Sequence, residues 1–82
     1  MKTLQYTTSG TCSKQIEIHV DDNDCVQSVN FLGGCNGNLQ GIGRLVKGMK
    51  REEVIKRLEG IRCGSKPTSC PDQLSRALKE MQ

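Results

Sequence analysis

Four of the five cysteines lie in short polar segments rather than in apolar runs, so thiolate chemistry is the first chemistry to consider. A structural cysteine packs as a small hydrophobe, whereas these four are surrounded by glycine, serine, threonine and asparagine. Small polar neighbours leave backbone N–H groups available to sulfur and let the chain bend around a ligand. The four candidates are Cys12, Cys35, Cys63 and Cys70. The fifth, Cys25, is interpreted as an ordinary core or edge cysteine.

The odd number of cysteines and the first residues set the expected redox environment. Five thiols cannot all pair within one chain. Residues 1–6 lack the apolar segment of a signal peptide, and no stretch approaches the length of a membrane span. We therefore expect a cytoplasmic chain whose thiols stay reduced.

Reduced thiols in such segments indicate a metal site. Cys35 and Cys70 are expected at helix starts, where unsatisfied N–H groups and the helix dipole favour thiolate. Four sulfur ligands in one pocket suit tetrahedral zinc or an iron–sulfur cluster, and the sequence does not choose between them. A bound metal would also stabilise a chain of 82 residues, whose core is small.

Two alternatives to metal binding stay open, because the chain has no CxxC pair. Cys63 and Cys70 are separated by six residues and can form a redox dithiol that supplies electrons to a partner. Alternatively, all the cysteines only pack, in a structural or interaction domain.

Charge and composition argue against other functions. The net charge is +3, and the cations between Arg44 and Arg62 alternate with glutamates, which is typical of a solvated helix surface. Tyr6 and Phe31 are the only aromatic residues, so base stacking is not supported. We expect neither nucleic acid nor membrane as a partner, while an acidic protein partner stays open. No catalytic constellation is found, and His19, the only histidine, is interpreted as a surface residue.

Alternating apolar residues predict three antiparallel strands in the first third of the chain, at residues 3–8, 15–20 and 25–32. In the second, Ile16, Ile18 and Val20 share one face. In the third, Val29 and Phe31 are expected to face inward. The alternation predicts a sheet with one covered face and one wetter face.

Helical spacing follows the strands. A first helix begins at Asn36 and ends at Gly48, with either Leu45 or Val46 on its apolar face. A second, from about Arg51, closes at Gly60, and a third begins near Ser69 as N-cap. The other apolar positions of the three helices are Leu39, Ile42 and Met49, then Val54, Leu58 and Ile61, then Leu74, Ala77, Leu78 and Met81. The fold class is therefore α+β, with three helices packed on one face of the sheet.

Two segments carry a family resemblance. Residues 68–72 read Thr-Ser-Cys-Pro-Asp, and residues 33–39 read Gly-Gly-Cys-Asn-Gly-Asn-Leu. The chain thereby resembles the TSCPD domain, over residues 1–82 as one domain, and is similar to the C-terminal segment of adenosylcobalamin-dependent ribonucleotide reductases. Small members carry a ribonucleoside-diphosphate reductase label, but this chain has no room for a radical barrel. The resemblance implies an accessory or metal-binding module, with a reductase as a partner.

The order of cysteines, strands and helices also resembles the IscU/NifU-type iron–sulfur scaffold. That resemblance implies cluster or zinc ligation by Cys12, Cys35 and Cys70, with Cys63 as the fourth ligand and a cluster recipient as partner. Lys14 stands where the scaffold has an aspartate, and the scaffold's Leu-Pro-Pro-Val-Lys motif is absent.

Overall fold

The chain folds into three strands followed by three helices, in the order expected of the α+β class. A computed structural model describes residues 2–10, 13–33 and 36–81. The elements are β1 (Lys2–Thr7), β2 (Ser13–Val20), β3 (Val26–Gly33), α1 (Asn36–Val46), α2 (Arg51–Leu58) and α3 (Cys70–Glu80). The predicted strands and helices are confirmed, with bounds shifted by one or two residues.

The sheet is antiparallel, and its strand order is β1-β2-β3. Ile16, Ile18 and Val20 of the central strand are almost fully buried, as their alternation predicts. Apolar residues of all three helices join them in one core, so the helices cover one face of the sheet. The polar partners on β2, such as Glu17 and His19, remain partly exposed on the other face.

An irregularity in β3 changes which residues face the core. Val20 pairs with Val26, but His19 pairs with Ser28, so one extra residue is inserted in β3. Val26 and Val29, three apart in the sequence, are consequently both buried. Val29 faces inward as expected and Phe31 packs partly against the core, whereas simple alternation did not predict Val26.

The structure resolves the alternative left open in α1. Val46 is only 5% exposed and belongs to the core, whereas Leu45 is 78% exposed. The helix ends at Val46, and Gly48 follows with a φ of +87°, the left-handed conformation that favours glycine after a helix. Leu45 is thus a large apolar side chain that lies on the surface and does not belong to the core.

The other two helices follow their predicted faces with one correction. Val54 of α2 is fully buried, but Ile61 is 40% exposed, because the helix ends at Leu58 and Ile61 lies in the loop beyond it. All four apolar positions of α3 are buried: Leu74, Ala77, Leu78 and Met81. Among the described residues, no helix has the length and apolar character needed to cross a membrane.

Candidate thiol site

The start of α3 is built by the capping residue that the sequence predicts. Ser69 is the N-cap, and its Oγ accepts a hydrogen bond from the Asp72 N–H at 3.1 Å. The same hydroxyl donates to the carbonyl of Ile61 at 2.7 Å. The cap places Cys70 in the first turn of the helix, where the residue is only 7% exposed.

Asp72 fixes the loop before α3 to the end of α2. Its carboxylate, 5% exposed, accepts hydrogen bonds from the Gly60 N–H at 2.8 Å and from the Thr68 hydroxyl. Arg76, one turn later, pairs with it at 3.1 Å. Burial alone would raise the pKa of Asp72, but the hydrogen bonds from Thr68 and Gly60 and the charge of Arg76 outweigh burial and hold it below its usual value.

Gln73 joins the β1–β2 connection to the same place. Its side chain is 2% exposed, and its Oε1 accepts a hydrogen bond from the Ser9 N–H at 3.2 Å. Its Nε2 donates to the Thr68 hydroxyl at 3.0 Å. Gly10, with a φ of +76°, lies so close that a Cβ there would be 3.1 Å from the Thr68 methyl group. The residues before Cys12 in the chain are therefore held against the segment that leads into Cys70.

A direct contact links the start of β2 to the helix thiol. Ser13 Oγ lies 3.2 Å from Cys70 Sγ, and both side chains are buried. Either atom can donate in the neutral pair, but only the hydroxyl can donate to a thiolate. Ser13 is thus a hydrogen-bond donor for the anionic form of Cys70.

Cys63 and Cys70 line one cavity, which we call the thiol cavity. It has a volume of about 510 Å³, and its opposite wall is the first half of α1, including Gly37, Leu39 and Ile42. Cys63 is exposed in a turn, where its carbonyl accepts from Lys66 N–H at 3.0 Å and its own N–H donates to Thr68 at 3.2 Å. One exposed thiol and one buried thiol thus face the same space.

The described residues test only part of the predicted four-cysteine site. Cys12 and Cys35 lie outside them, so their approach to the other two thiols stays a prediction. In residues 2–10, 13–33 and 36–81, no group of three or more histidine, cysteine or acidic residues is arranged to hold a metal ion. That search covers only two of the four predicted ligands.

Cys25 lies far from the thiol cavity, as its separate interpretation requires. It precedes β3 and pairs through its backbone with Lys50, at the end of the sheet opposite to the Ser13–Gly33 pair. Cys25 is eight positions from Gly33 along the strand, a distance of about 26 Å at the usual rise per residue. Cys25 is partly exposed and is a natural control for the other cysteines.

Three side chains at the site escaped sequence reasoning: Ser13, Thr68 and Gln73. Thr68 and Asp72 stand within the Thr-Ser-Cys-Pro-Asp segment, but their mutual hydrogen bond depends on the extended backbone of the N-cap Ser69 before the helix. Gln73 has no sequence signal, because a glutamine in a first helical turn is ordinarily a surface residue. The position of Ser13 directly after Cys12 was the one available hint.

Comparison with known proteins identifies the family. A model of the TSCPD domain matches residues 1–82, the whole chain. No curated protein and no solved structure matches the chain, so the resemblance to the IscU/NifU-type scaffold finds no support there. The Thr-Ser-Cys-Pro-Asp segment that gives the family its name is the segment whose side chains cap α3, hold its preceding loop and place Cys70 at the cavity. The chain belongs to the TSCPD domain family.

Proposed function

We propose that the protein binds a zinc ion or an iron–sulfur cluster through the thiolates of Cys12, Cys35, Cys63 and Cys70. The observation that carries the proposal is the thiol cavity, which Cys63 and Cys70 line together. Its opposite wall is the beginning of α1, the helix that follows Cys35 directly in the sequence. Ser13, which follows Cys12, contacts Cys70.

The donor set fits a soft or borderline metal. Among the described residues that line the cavity, the two thiols are the metal-binding side chains, and neither carboxylate nor imidazole accompanies them. Thiolates select zinc and iron–sulfur clusters, whereas magnesium and calcium require oxygen ligands. The bound group would supply either a cross-link between the helices and the sheet or an electron-carrying centre.

The surrounding residues contribute the electrostatics of ligation. Cys70 lies in the first turn of α3, and the Ser13 hydroxyl is 3.2 Å from its sulfur, where it can donate a hydrogen bond to a thiolate. Hydrogen bonds of this kind stabilise a thiolate and tune the metal that it binds. We place the protein in the cytoplasm, where thiols stay reduced, with a reductase or a cluster recipient as its protein partner.

Metal analysis after anaerobic purification tests the proposal. We expect stoichiometric zinc, or iron and sulfide with visible absorption, in the wild-type protein. Cys63→Ser and Cys70→Ser should each lose most of the metal, and Cys25→Ser should keep it. Metal-free wild-type protein that takes up neither zinc nor a reconstituted cluster would overturn the proposal, as would equal loss from the Cys25 variant.

A second candidate function rests on the same cavity. Cys63 and Cys70 line one cavity, and Cys63 is exposed whereas Cys70 is buried. Thiol–disulfide exchange with a partner needs an accessible thiol, which Cys63 supplies. In that reaction the two thiols lose two electrons and two protons to form one S–S bond, and a disulfide of the partner protein is reduced to two thiols. Metal-free protein with a single reversible Cys63–Cys70 disulfide, found by mass spectrometry of the digested chain, would favour this candidate.

A third alternative gives the cysteines a packing role only. Substitution of all four candidates by serine would then leave metal content, redox behaviour and stability close to those of the wild type. Any loss of metal specific to these four positions excludes it.

A further inference from the structure

The surface of α1 beside the thiol cavity is apolar and exposed. Leu45 has 78% of its surface exposed, the highest value among the large exposed hydrophobic side chains described. It lines the thiol cavity and also a second cavity of about 240 Å³ between α1 and α2, which we call the apolar groove. Ile42 lines both as well. The two cavities therefore form one continuous surface on either side of the Leu45 side chain.

The groove has the lining of a docking site for an apolar side chain. Its walls are Ile42, Leu45, Val46, Met49, Val54 and Leu58, with Arg57 at the edge. The thiol cavity adds Leu39 and Pro71 on the other side of Leu45. A continuous exposed apolar surface with a polar rim is characteristic of protein interaction sites.

The charges around the apolar groove favour an acidic partner over a second copy of this chain. Arg57 lies on the groove, and the loop that holds Cys63 carries two exposed cations, Arg62 and Lys66. Glu53 forms an ion pair with Arg57 at 2.8 Å and offsets part of its charge. In a two-fold contact between copies of this chain, this positive rim would face itself, and like charges at an interface are unfavourable. An acidic partner is attracted by the same charges.

We propose that the surface around Leu45 docks an acidic amphipathic helix of a partner protein. Helix-in-groove recognition uses apolar anchors at helical spacing, and here the apolar groove receives an anchor beside Leu45. Leu39 and Pro71 at the rim of the thiol cavity extend the apolar contact on the other side of Leu45. Carboxylates on the polar side of the partner helix face Arg57, Arg62 and Lys66. Docking places the partner beside Cys63. The docking itself does not depend on the proposed function, but any metal or electron transfer between Cys63 and the partner does.

Synthetic helical peptides test the docking site on the full chain. Two peptides of about 15 residues, long enough for helix formation, carry leucines at helical spacing and differ only in having glutamate or lysine on the polar face. We expect the glutamate peptide to bind at least tenfold more tightly in a fluorescence anisotropy titration. Amide resonances of Leu45 and Arg57 should shift on binding.

Two neutral substitutions separate this site from other exposed leucines. Leu45→Gln should weaken binding of the glutamate peptide at least tenfold, and Leu32→Gln, on the 51% exposed Leu32 of β3, should leave binding unchanged. Equal binding of both peptides, or binding that Leu45→Gln does not alter, would overturn the proposal. So would a concentration-dependent dimer that Leu45→Gln dissociates, because the occupant would then be a second copy.

The metal proposal and the docking proposal can fail separately. Peptide binding by the wild-type protein before and after metal removal with a chelator, with metal content measured in the same samples, supports the docking site whether or not the protein holds metal. Loss of peptide binding in metal-free wild-type protein that remains folded by circular dichroism would overturn an independent docking site.

Discussion

Gly43 of α1 lies directly against the backbone carbonyl of Val29 in β3. A Cβ built at Gly43 would be 2.9 Å from the Val29 oxygen, a distance that real Cβ atoms essentially never reach. The absence of a side chain therefore lets α1 approach the sheet closely. The first half of the same helix forms a wall of the thiol cavity, so the contact helps to position that wall.

Gly43→Ala should destabilise the protein although alanine is the better helix former. The added methyl group must displace α1 from β3, at a cost of about 1–3 kcal/mol for a strained insertion. Gly41→Ala is the matched control, since a Cβ there meets no atom within 4 Å. Urea unfolding should show Gly41→Ala as stable as the wild type or more stable, by up to about 1 kcal/mol. Equal stabilisation by both substitutions would contradict the close contact.

Asp72→Asn should lower the free energy of unfolding at neutral pH. It should also remove part of the decrease in that free energy that the wild type shows at acid pH. The carboxylate pKa is lowered in the folded protein, so its contribution is present above the unfolded pKa and is lost as pH falls through the folded value. The asparagine side chain also has an NH₂ group in place of one carboxylate oxygen. That group cannot accept the hydrogen bonds that Thr68 and Arg76 donate to Asp72. We expect a loss of about 2 kcal/mol at pH 7 that diminishes below about pH 4.

Urea unfolding at pH 7 and pH 3 measures this difference. Glu53→Gln removes a carboxylate from an exposed ion pair and should cost less than about 0.5 kcal/mol at either pH. An equal loss of unfolding free energy in Asp72→Asn at both pH values would show that the hydrogen-bond geometry, and not the charge, is responsible.

Ser69→Ala should destabilise the start of α3. The substitution removes the N-cap acceptor for the Asp72 N–H and leaves the Ile61 carbonyl without its hydroxyl donor. We expect a loss of about 1–2 kcal/mol of unfolding free energy. Ser9→Ala is the control, because Ser9 contacts Gln73 through its backbone N–H, which alanine retains. Thermal unfolding that does not separate the two variants would contradict the cap.

Ser13→Ala should slow the reaction of Cys70 with iodoacetamide. The hydroxyl donates to the thiolate, and loss of one such charge-assisted bond reduces the reactive population by about three- to tenfold. The rate is measured on metal-free, reduced protein by mass spectrometry of the Cys70 peptide. Ser75→Ala, which removes a hydroxyl bonded to the Asp72 carbonyl instead, should leave the rate unchanged. A faster reaction in Ser13→Ala would mean that the serine shields the sulfur sterically.

Local signals in the sequence predict most of the elements. The alternation of Ile16, Ile18 and Val20 predicts the central strand, and Ser69 with the proline two residues later predicts where α3 begins. These predictions succeed because each depends on residues that are neighbours within one element. The same reasoning does not predict the extra residue in β3, because its position is determined by pairing with β2.

Long-range contacts explain what sequence could not predict at the site. Helical spacing left Leu45 and Val46 equivalent, and only the position of α1 against β3 decides which is buried. Gln73 reaches Ser9 across 64 positions of the chain, a distance over which no local pattern operates. The sequence predicts one pocket for all four candidate cysteines, of which Cys63 and Cys70 are described and line one cavity. Their approach to Cys12 and Cys35 stays a prediction.

The polar contacts around Thr68, Asp72 and Gln73 limit how this site can be engineered. No buried side-chain nitrogen or oxygen in the described part of the chain lacks a hydrogen-bond partner. The partners belong to three separate stretches of the chain, at Ser9, Gly60 and the start of α3. A graft of residues 68–72 alone into another scaffold would carry their hydrogen-bond donors and acceptors without the partners that satisfy them here. Transfer of the thiol site therefore requires all three stretches together.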